Sequence, residues 1–312
     1  MRTFRTGLLL CLFPAVWAAD VRLGIVGTDT SHAPEFTRML NDAAAKDHVP
    51  GARVVAAFKG GSPDIPESWN RVDGYAEELR EKWNVEFVDH IGDLCSKIDG
   101  ILIESVDGRT HLPEVKEAVK CGKPMFIDKP LASTLADARE IAKITADANV
   151  PWFSSSSLRY SDIEKLRVPD MTGAFVWGPG PLEEHHQLDL SWYAIHPVEM
   201  LYTLMGMGCE RVTRTYTPDA DVITGVWKDG RSGTVRAQRP YGAYGAVVFA
   251  KKNRVESMTD LKFSYAPLIQ QIVEFMNTRK PPVPNAETLE IFSFLDAAQR
   301  SREAGGDPET LQ

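Results

Sequence analysis

Cysteine is scarce: four occur in 312 residues, and one of them, Cys11, lies in the apolar run near the N-terminus. The other three, Cys95, Cys121 and Cys209, form an odd, sparse set that excludes a disulfide framework as the basis of the fold. Cys95 and Cys121 lie in apolar surroundings and are expected to be buried. Basic clusters are also missing. Lys+Arg number 35 against 43 Asp+Glu, a net charge of −8. Nucleic-acid binding draws on clustered Lys and Arg at the phosphates, so that class is excluded. Beyond the N-terminus no apolar run reaches the roughly 18–20 residues that span a bilayer. There is no internal repeat and no low-complexity segment. Gly 23 and Pro 20 are ordinary counts, which excludes disordered and collagenous chains.

What is present is a globular composition, 43% hydrophobic and 25% charged, at a length that fits two domains. The first residues read as an address. Arg2 and Arg5 precede an apolar run from Gly7 to Val16, followed by Trp17-Ala18-Ala19. A basic start, a short apolar stretch and small residues at a cleavage point make a secretory signal over 1–18, cut near Ala18 or Ala19. No twin-arginine pair is present, so a Sec-type route to the periplasm or exterior is expected. Loss of Arg2 and Arg5 deepens the net charge to about −10.

Residues 19–150 alternate strand and helix. Val21–Val26, Ala52–Phe58, Val85–Val88, Gly100–Ser105, Pro124–Ile127 and Pro151–Ser154 read as strands. Pro34–Leu40, Tyr75–Lys82, Leu112–Cys121 and Thr134–Ala148 read as helices, with a helical turn at Ile91–Cys95. Repeated βα units with apolar strands predict a parallel sheet covered on both faces. Residues 151–312 change pattern. Strands are expected at Ala174–Trp177, His185–Leu190, Val212–Tyr216, Val222–Trp227, Gly233–Gln238 and Ala246–Ala250. Asp229-Gly230 marks a hairpin. Helices are expected at Ile195–Leu204, Ala266–Asn277 and Ala286–Ala304. The fold class is therefore an α/β Rossmann domain followed by an α+β domain with a mostly antiparallel, open-faced sheet.

Four features resemble the glucose–fructose oxidoreductase/inositol dehydrogenase (Gfo/Idh/MocA) family. Gly27 ends the first strand. His111-Leu-Pro-Glu-Val-Lys-Glu-Ala-Val-Lys-Cys-Gly-Lys-Pro leads into Asp128-Lys129-Pro130-Leu131-Ala132, similar to a His…Gly-Lys…Glu-Lys-Pro-Leu-Ala stretch. Ser191 to Leu201, with His196 and Glu199, resembles the family's Asp-x-x-x-His-x-x-Asp helix. Tyr265 onward, with Pro281-Pro282, resembles its C-terminal end. The resemblance implies NAD or NADP on the first domain and a sugar or polyol at the domain junction. It implies a hydrogen bond from Lys129 to the reacting oxygen, with Pro130 in a cis bond that aims the lysine. His196 is then the acid–base group, since imidazole titrates near neutrality. Cofactor contacts are expected from Gly27, Thr28, Asp29, Ser31, His32, Lys59, His111, Asp128 and Lys129. Substrate contacts are expected from Lys129, Tyr160, His186, Tyr193, His196 and Glu199. The resemblance also implies homo-oligomers paired through the C-terminal sheet, with which the alternation in Val222–Trp227 and Ala246–Ala250 is compatible.

The departures from that family are specific. Asp29 and His32 replace the second and third glycines of Gly-x-Gly-x-x-Gly, which admit the pyrophosphate and the close helix. Asp29 repels a pyrophosphate unless it turns away or is neutralised. Phe58-Lys59-Gly-Gly-Ser62 stands where an acidic residue usually binds the ribose. Lys59 and Ser62 offer donors to a 2′-phosphate, or form an ordinary turn. Trp192 replaces an acidic residue and is expected in the core. Glu183, Glu184, His185 and His186 carry metal-capable groups without regular spacing, and no metal is assigned to them; on a strand, one face lines the sugar pocket and the other is solvated. Three functions remain open: an NAD(P)-dependent oxidoreductase on a sugar or polyol with a recycled cofactor; a cofactor-independent or metal-dependent lyase, epimerase or hydrolase on a keto-sugar; and a non-catalytic sugar binder.

Overall fold

A computed structural model describes residues 20–312; the expected signal segment lies outside the described residues. Alternating strands and helices open the chain: β1 (Val21–Val26), α1 (His32–Asn41), β2 (Ala52–Phe58), α2 (Pro66–Trp83), β3 (Glu86–Val88), β4 (Gly100–Ile103), α3 (Gly108–Ala118), β5 (Met125–Ile127), α4 (Leu135–Asp147) and β6 (Trp152–Phe153). The strands form a six-stranded parallel sheet in the order β3-β2-β1-β4-β5-β6. Every residue of β4 and β5 is buried, as strands covered on both faces require. This order reverses between β1 and β4, and a crevice opens at the C-terminal ends of those strands. Local signals start and stop the helices. The Thr134 hydroxyl accepts from Asp137 N at 2.9 Å to begin α4. Gly122, at φ 65°, stops the turn that follows α3. Helix α2 starts nine residues before its expected first residue. Gly74 interrupts the pattern there, yet Pro66 takes a first-turn position and Val72, Ala76 and Leu79 bury one face.

The second half holds β7 (Met171–Pro179), α5 (Ile195–Met205), β8 (Cys209–Thr217), β9 (Ala220–Trp227), β10 (Ser232–Gln238), β11 (Gly245–Ala250), β12 (Arg254–Met258), α6 (Ala266–Thr278), α7 (Asn285–Glu303) and β13 (Glu309–Thr310). Its seven strands run β12-β11-β7-β10-β9-β8-β13, antiparallel except for the parallel pair β7 and β10. α5 packs on β7 and β10, and α7 on β8, so one face is covered. The other carries half-exposed Phe175, Trp177, Val222 and Val247 and exposed Phe249.

The structure differs from the sequence reading at four points. His185–Leu190 is a turn followed by a 3-10 turn at Asp189–Ser191, not a strand. Its Asp189 is drawn inward by fully buried Arg214 at 2.8 Å and by Arg302, which breaks any alternation of faces. β12 is an exposed polar edge strand behind a Lys252-Asn253 turn with positive φ, so apolar periodicity could not mark it. Cys95 and Cys121 are half-buried and joined by a disulfide with Cα atoms 4.9 Å apart, leaving Cys209 as a buried free thiol. The packing of α3 on the turn at Ile91–Leu94 brings these cysteines together across 26 residues of sequence. Finally, α6 follows the second sheet in sequence but packs on the first. Leu268, Ile269, Ile272 and Phe275 share a core with Leu23, Phe36, Phe126 and Phe153. One late helix thus ties the second half back onto the first.

Candidate functional site

The crevice widens into a cleft of about 490 Å³ between the first sheet and the second half. A larger, more open groove of about 730 Å³ around Asp170, Met171 and Arg231 shares no residue with it, and gathers none of the acid–base residues described below.

The β1–α1 loop forms one wall. Gly27 has φ 90°, and a Cβ there would strike Ser105, so glycine is required by both backbone and space. Thr28 is buried, with its hydroxyl donating to Lys59 O and Val72 O. Asp29 is buried and turned away from the cleft: its carboxylate accepts from Ser68 Oγ at 2.6 Å and Val106 N at 3.1 Å. Burial pushes its pKa up. The conflict between this aspartate and a pyrophosphate is therefore resolved by rotation. Main chain, exposed Ser31 and the His32 ring are what the loop offers to the cleft. The start of α1 turns a positive dipole end toward this wall, which suits an anionic dinucleotide; of its first N–H groups, His32 N donates to Thr30 Oγ1, Glu35 N donates to Ser31 O, and Pro34 has none. Arg71 of α2, which sequence reasoning missed, also lines the cleft.

Two expected cofactor contacts are used elsewhere. Lys59 pairs with Asp73, while Ser62 donates to Asp107 at 2.7 Å, so this segment is a packed turn rather than a prepared phosphate site. His111 is fully buried, with its ring nitrogens facing Ser105 O at 2.7 Å and Leu131 O at 3.2 Å. It braces the ends of β4 and β5 and does not reach the cleft.

At the end of β5, Asp128 is buried and Lys129 lines the cleft, with the Lys129–Pro130 peptide cis. Asp128 Oδ2 meets His32 Nδ1 at 2.7 Å. Burial opposes its ionisation, but His32 and Lys129 outweigh burial and hold its carboxyl below the usual range. His32 stacks on Phe36 at 5.0 Å and meets the edge of Tyr265 at 4.9 Å.

The opposite wall comes from α5 and the loops around it. His196, in the first turn of α5, lines the cleft, and its Nδ1 lies 2.7 Å from Ser156 Oγ. Burial, then the charges of Lys129 and His32, push its pKa well below the usual value. The imidazole is therefore neutral at pH 7 and free to accept a proton. Tyr193 faces it at 5.2 Å, Tyr244 at 6.1 Å, and Tyr241 continues the aromatic wall. Trp192 is buried as expected and reaches the cleft edge.

The expected substrate contacts Glu199, His186 and Tyr160 lie outside this cleft. Glu199 is buried and accepts from Arg159 Nε at 2.9 Å and Ser156 N at 2.9 Å. It lies one turn beyond His196 on the same side of α5, and its carboxylate is taken up by Ser156 and Arg159 in the loop after β6. His186 is buried, with Nε2 2.9 Å from Asp107 Oδ1 and Nδ1 3.1 Å from Ser191 Oγ. It joins the two halves of the molecule. The Tyr160 ring packs against the first core beside α6. Burial pushes its hydroxyl up to about 12.

Residues 21–155 match the Gfo/Idh/MocA family model, described as an oxidoreductase family with an NAD-binding Rossmann fold. These residues carry the NAD-binding Rossmann domain of the Gfo/Idh/MocA family. Among curated Gfo/Idh/MocA relatives, inositol 2-dehydrogenase 1 of Saccharopolyspora erythraea is 34% identical over 128 residues, 39% of this chain and 34% of the relative. Inositol 2-dehydrogenase of Paracoccus denitrificans is 29% identical over 160 residues, 49% of this chain and 43% of that protein. The matched stretches thus span less than half of these relatives. The fold extends further. Myo-inositol dehydrogenase from Lactobacillus casei, solved with NAD(H) and myo-inositol, superposes with a TM-score of 0.71 at 16% identity, covering 94% of this chain and 97% of the other. The scyllo-inositol dehydrogenase of that organism, solved with NAD(H) and scyllo-inositol, gives 0.71 at 14%, covering 94% and 99%. The chain therefore combines the fold of these dehydrogenases with a Gfo/Idh/MocA nucleotide loop altered at Asp29 and His32.

Proposed function

We propose that this protein is an exported NAD(P)-dependent oxidoreductase acting on a hydroxyl of a sugar or polyol. The observation that carries this reading is the meeting of Lys129 and neutral His196 in one cleft, beside the loop that opens α1. The nucleotide fits the residues present, because Asp29 is rotated inward and leaves the positive end of α1, Ser31 and Arg71 toward the cleft. When bound, a nicotinamide supplies a hydride acceptor and donor. Lys129 donates a hydrogen bond to the reacting oxygen and stabilises charge developing there. His196 takes the hydroxyl proton through Nε2, the ring nitrogen that has no partner among the described residues. Tyr193, Tyr241 and Tyr244 provide ring faces and hydroxyls suited to a polyhydroxylated ring.

Export is supported by the N-terminal address and by the Cys95–Cys121 disulfide, a bond favoured in oxidising compartments. Such a location favours a retained cofactor that is reduced and reoxidised within one cycle. The apolar open face of the second sheet supports pairing of two copies.

The test is a titration of the mature protein with NAD, NADH, NADP and NADPH, read by thermal midpoint and nicotinamide fluorescence, with denatured protein assayed for released nucleotide. Stabilisation by one cofactor pair, with polyol-dependent turnover that is lost in Lys129→Ala, is expected. A folded protein that carries no nucleotide and responds to none of the four would overturn the proposal.

A further inference from the structure

The described residues hold one cluster that the acid–base reading leaves unused. Ile103 of β4 and Ile127 of β5 are paired neighbours, so the next residues, Glu104 and Asp128, leave the sheet side by side. His32, at the start of α1, reaches the same point. One ring nitrogen of His32 and one oxygen from each carboxylate all lie within 4.8 Å of one another. Both Glu104 and Asp128 are buried, and neither Glu104 oxygen nor Asp128 Oδ1 has a hydrogen-bond partner. Buried carboxylates are normally satisfied by donors or by a cation. His32 and Lys129 act on Asp128, but neither is bonded to Glu104. Lys129 makes no ion pair with either group among the described residues, and the His111 ring is held between two carbonyls.

We propose that His32, Glu104 and Asp128 bind a divalent first-row cation of the zinc or manganese class. One imidazole and two carboxylates form a mixed nitrogen–oxygen donor set, which suits those ions and lacks the thiolates that softer ions prefer. A charge of +2 neutralises the two carboxylates. The ion takes the place of the present His32–Asp128 hydrogen bond. Of the three residues only His32 lines the cleft, so the ion enters on its side and keeps an open position there. The site stands on these three side chains alone and is independent of nucleotide binding.

The experiment uses the mature full chain, stripped with EDTA, and no nucleotide. Zn²⁺ or Mn²⁺ is added, with calorimetric titration, elemental analysis after desalting and thermal midpoint as readouts; Co²⁺ absorption reports the ligand field. One ion per chain and a rise of several degrees are expected. Glu104→Gln and His32→Ala should lose the stoichiometric ion while keeping a native circular dichroism spectrum. His185→Ala, at the exposed Glu183–His185 pair, should keep it. Should Glu104→Gln fail to fold, His32→Ala at the cleft edge carries the comparison. No ion above background in the wild type, or equal binding in wild type and His32→Ala, overturns the proposal. Indifference to metal combined with stabilisation by Glu104→Gln would mean that a proton occupies the cluster instead.

Discussion

Ser156 Oγ lies 2.7 Å from His196 Nδ1, and this contact decides which nitrogen of the imidazole faces the cleft. Ser156 is itself anchored. Its N–H donates to Glu199 Oε1 at 2.9 Å, and Glu199 is held by Arg159, which also pairs with Glu287 of α7 at 2.6 Å. A hydroxyl both donates and accepts, so Ser156 supports either imidazole tautomer. Nε2 can then act as base in oxidation and as acid in the return reduction. In the proposed reaction Glu199 is a positioning residue, two hydrogen bonds removed from the cleft.

Ser156→Ala should lower kcat/KM by roughly tenfold, the equivalent of one lost hydrogen bond of about 1.4 kcal/mol. The pH profile should shift as well, because Nδ1 loses its hydrogen-bond partner, and Ser156→Thr should restore most of both. A rate–pH profile of the three proteins checks this. An unchanged profile in Ser156→Ala would show that the serine only packs.

Glu114 of α3 carries a pH-dependent contribution to stability. Burial pushes its carboxyl up to about 8, with Asp29 and Asp107 adding repulsion against the Ser105 hydrogen bond. The folded chain then holds a proton that the unfolded chain releases near 4.5. That contribution is fully present below pH 4.5 and is lost as pH rises through about 8. Glu114→Gln mimics the protonated form, so its thermal midpoint relative to wild type should climb between pH 4.5 and about 8 and level off above that. A difference that stays constant over that range contradicts the assignment. His111 and His196 act in the opposite direction. Burial depresses both, so their contribution is present above pH 6.5 and falls away as the solution becomes more acidic.

Reduction of the Cys95–Cys121 bond frees 26 residues of sequence separation in the unfolded chain. A stabilisation of about 3 kcal/mol is expected from a loop of that length. Dithiothreitol, or Cys95→Ala with Cys121→Ala, should lower the thermal midpoint by several degrees. Thiol titration of the denatured mature protein should find Cys209 alone before reduction. Three reactive thiols at that stage would rule the bond out.

The outer face of the second sheet aligns Phe175 beside Val247, with Phe249 exposed at 45% on β11. An apolar patch of this kind marks an association surface. Light scattering of the wild type should give a dimer or larger assembly at micromolar concentration, and Phe249→Glu should weaken it. A monomeric wild type would remove this prediction.

Much of the architecture is legible in the residue order. The period of apolar positions marks the βα units, because a strand buried on both faces and a helix buried on one leave different local patterns. Gly27, the Asp128-Lys129-Pro130 run and His196 are legible too, through their resemblance to the motifs of the Gfo/Idh/MocA family, and each sits at the end or start of an element. Contacts between elements distant in sequence are not. Asp29 turns toward Ser68 and Val106, His186 reaches Asp107, and Cys95 finds Cys121, all across loops whose paths no periodicity encodes. Glu104 reads as one polar residue at the end of an apolar strand. Its proximity to Asp128 and His32 arises because parallel neighbours β4 and β5 end in register and α1 starts beside them. Element type follows from local patterns of burial. The direction of a side chain at a loop, and the partner it meets, follow from how the elements pack.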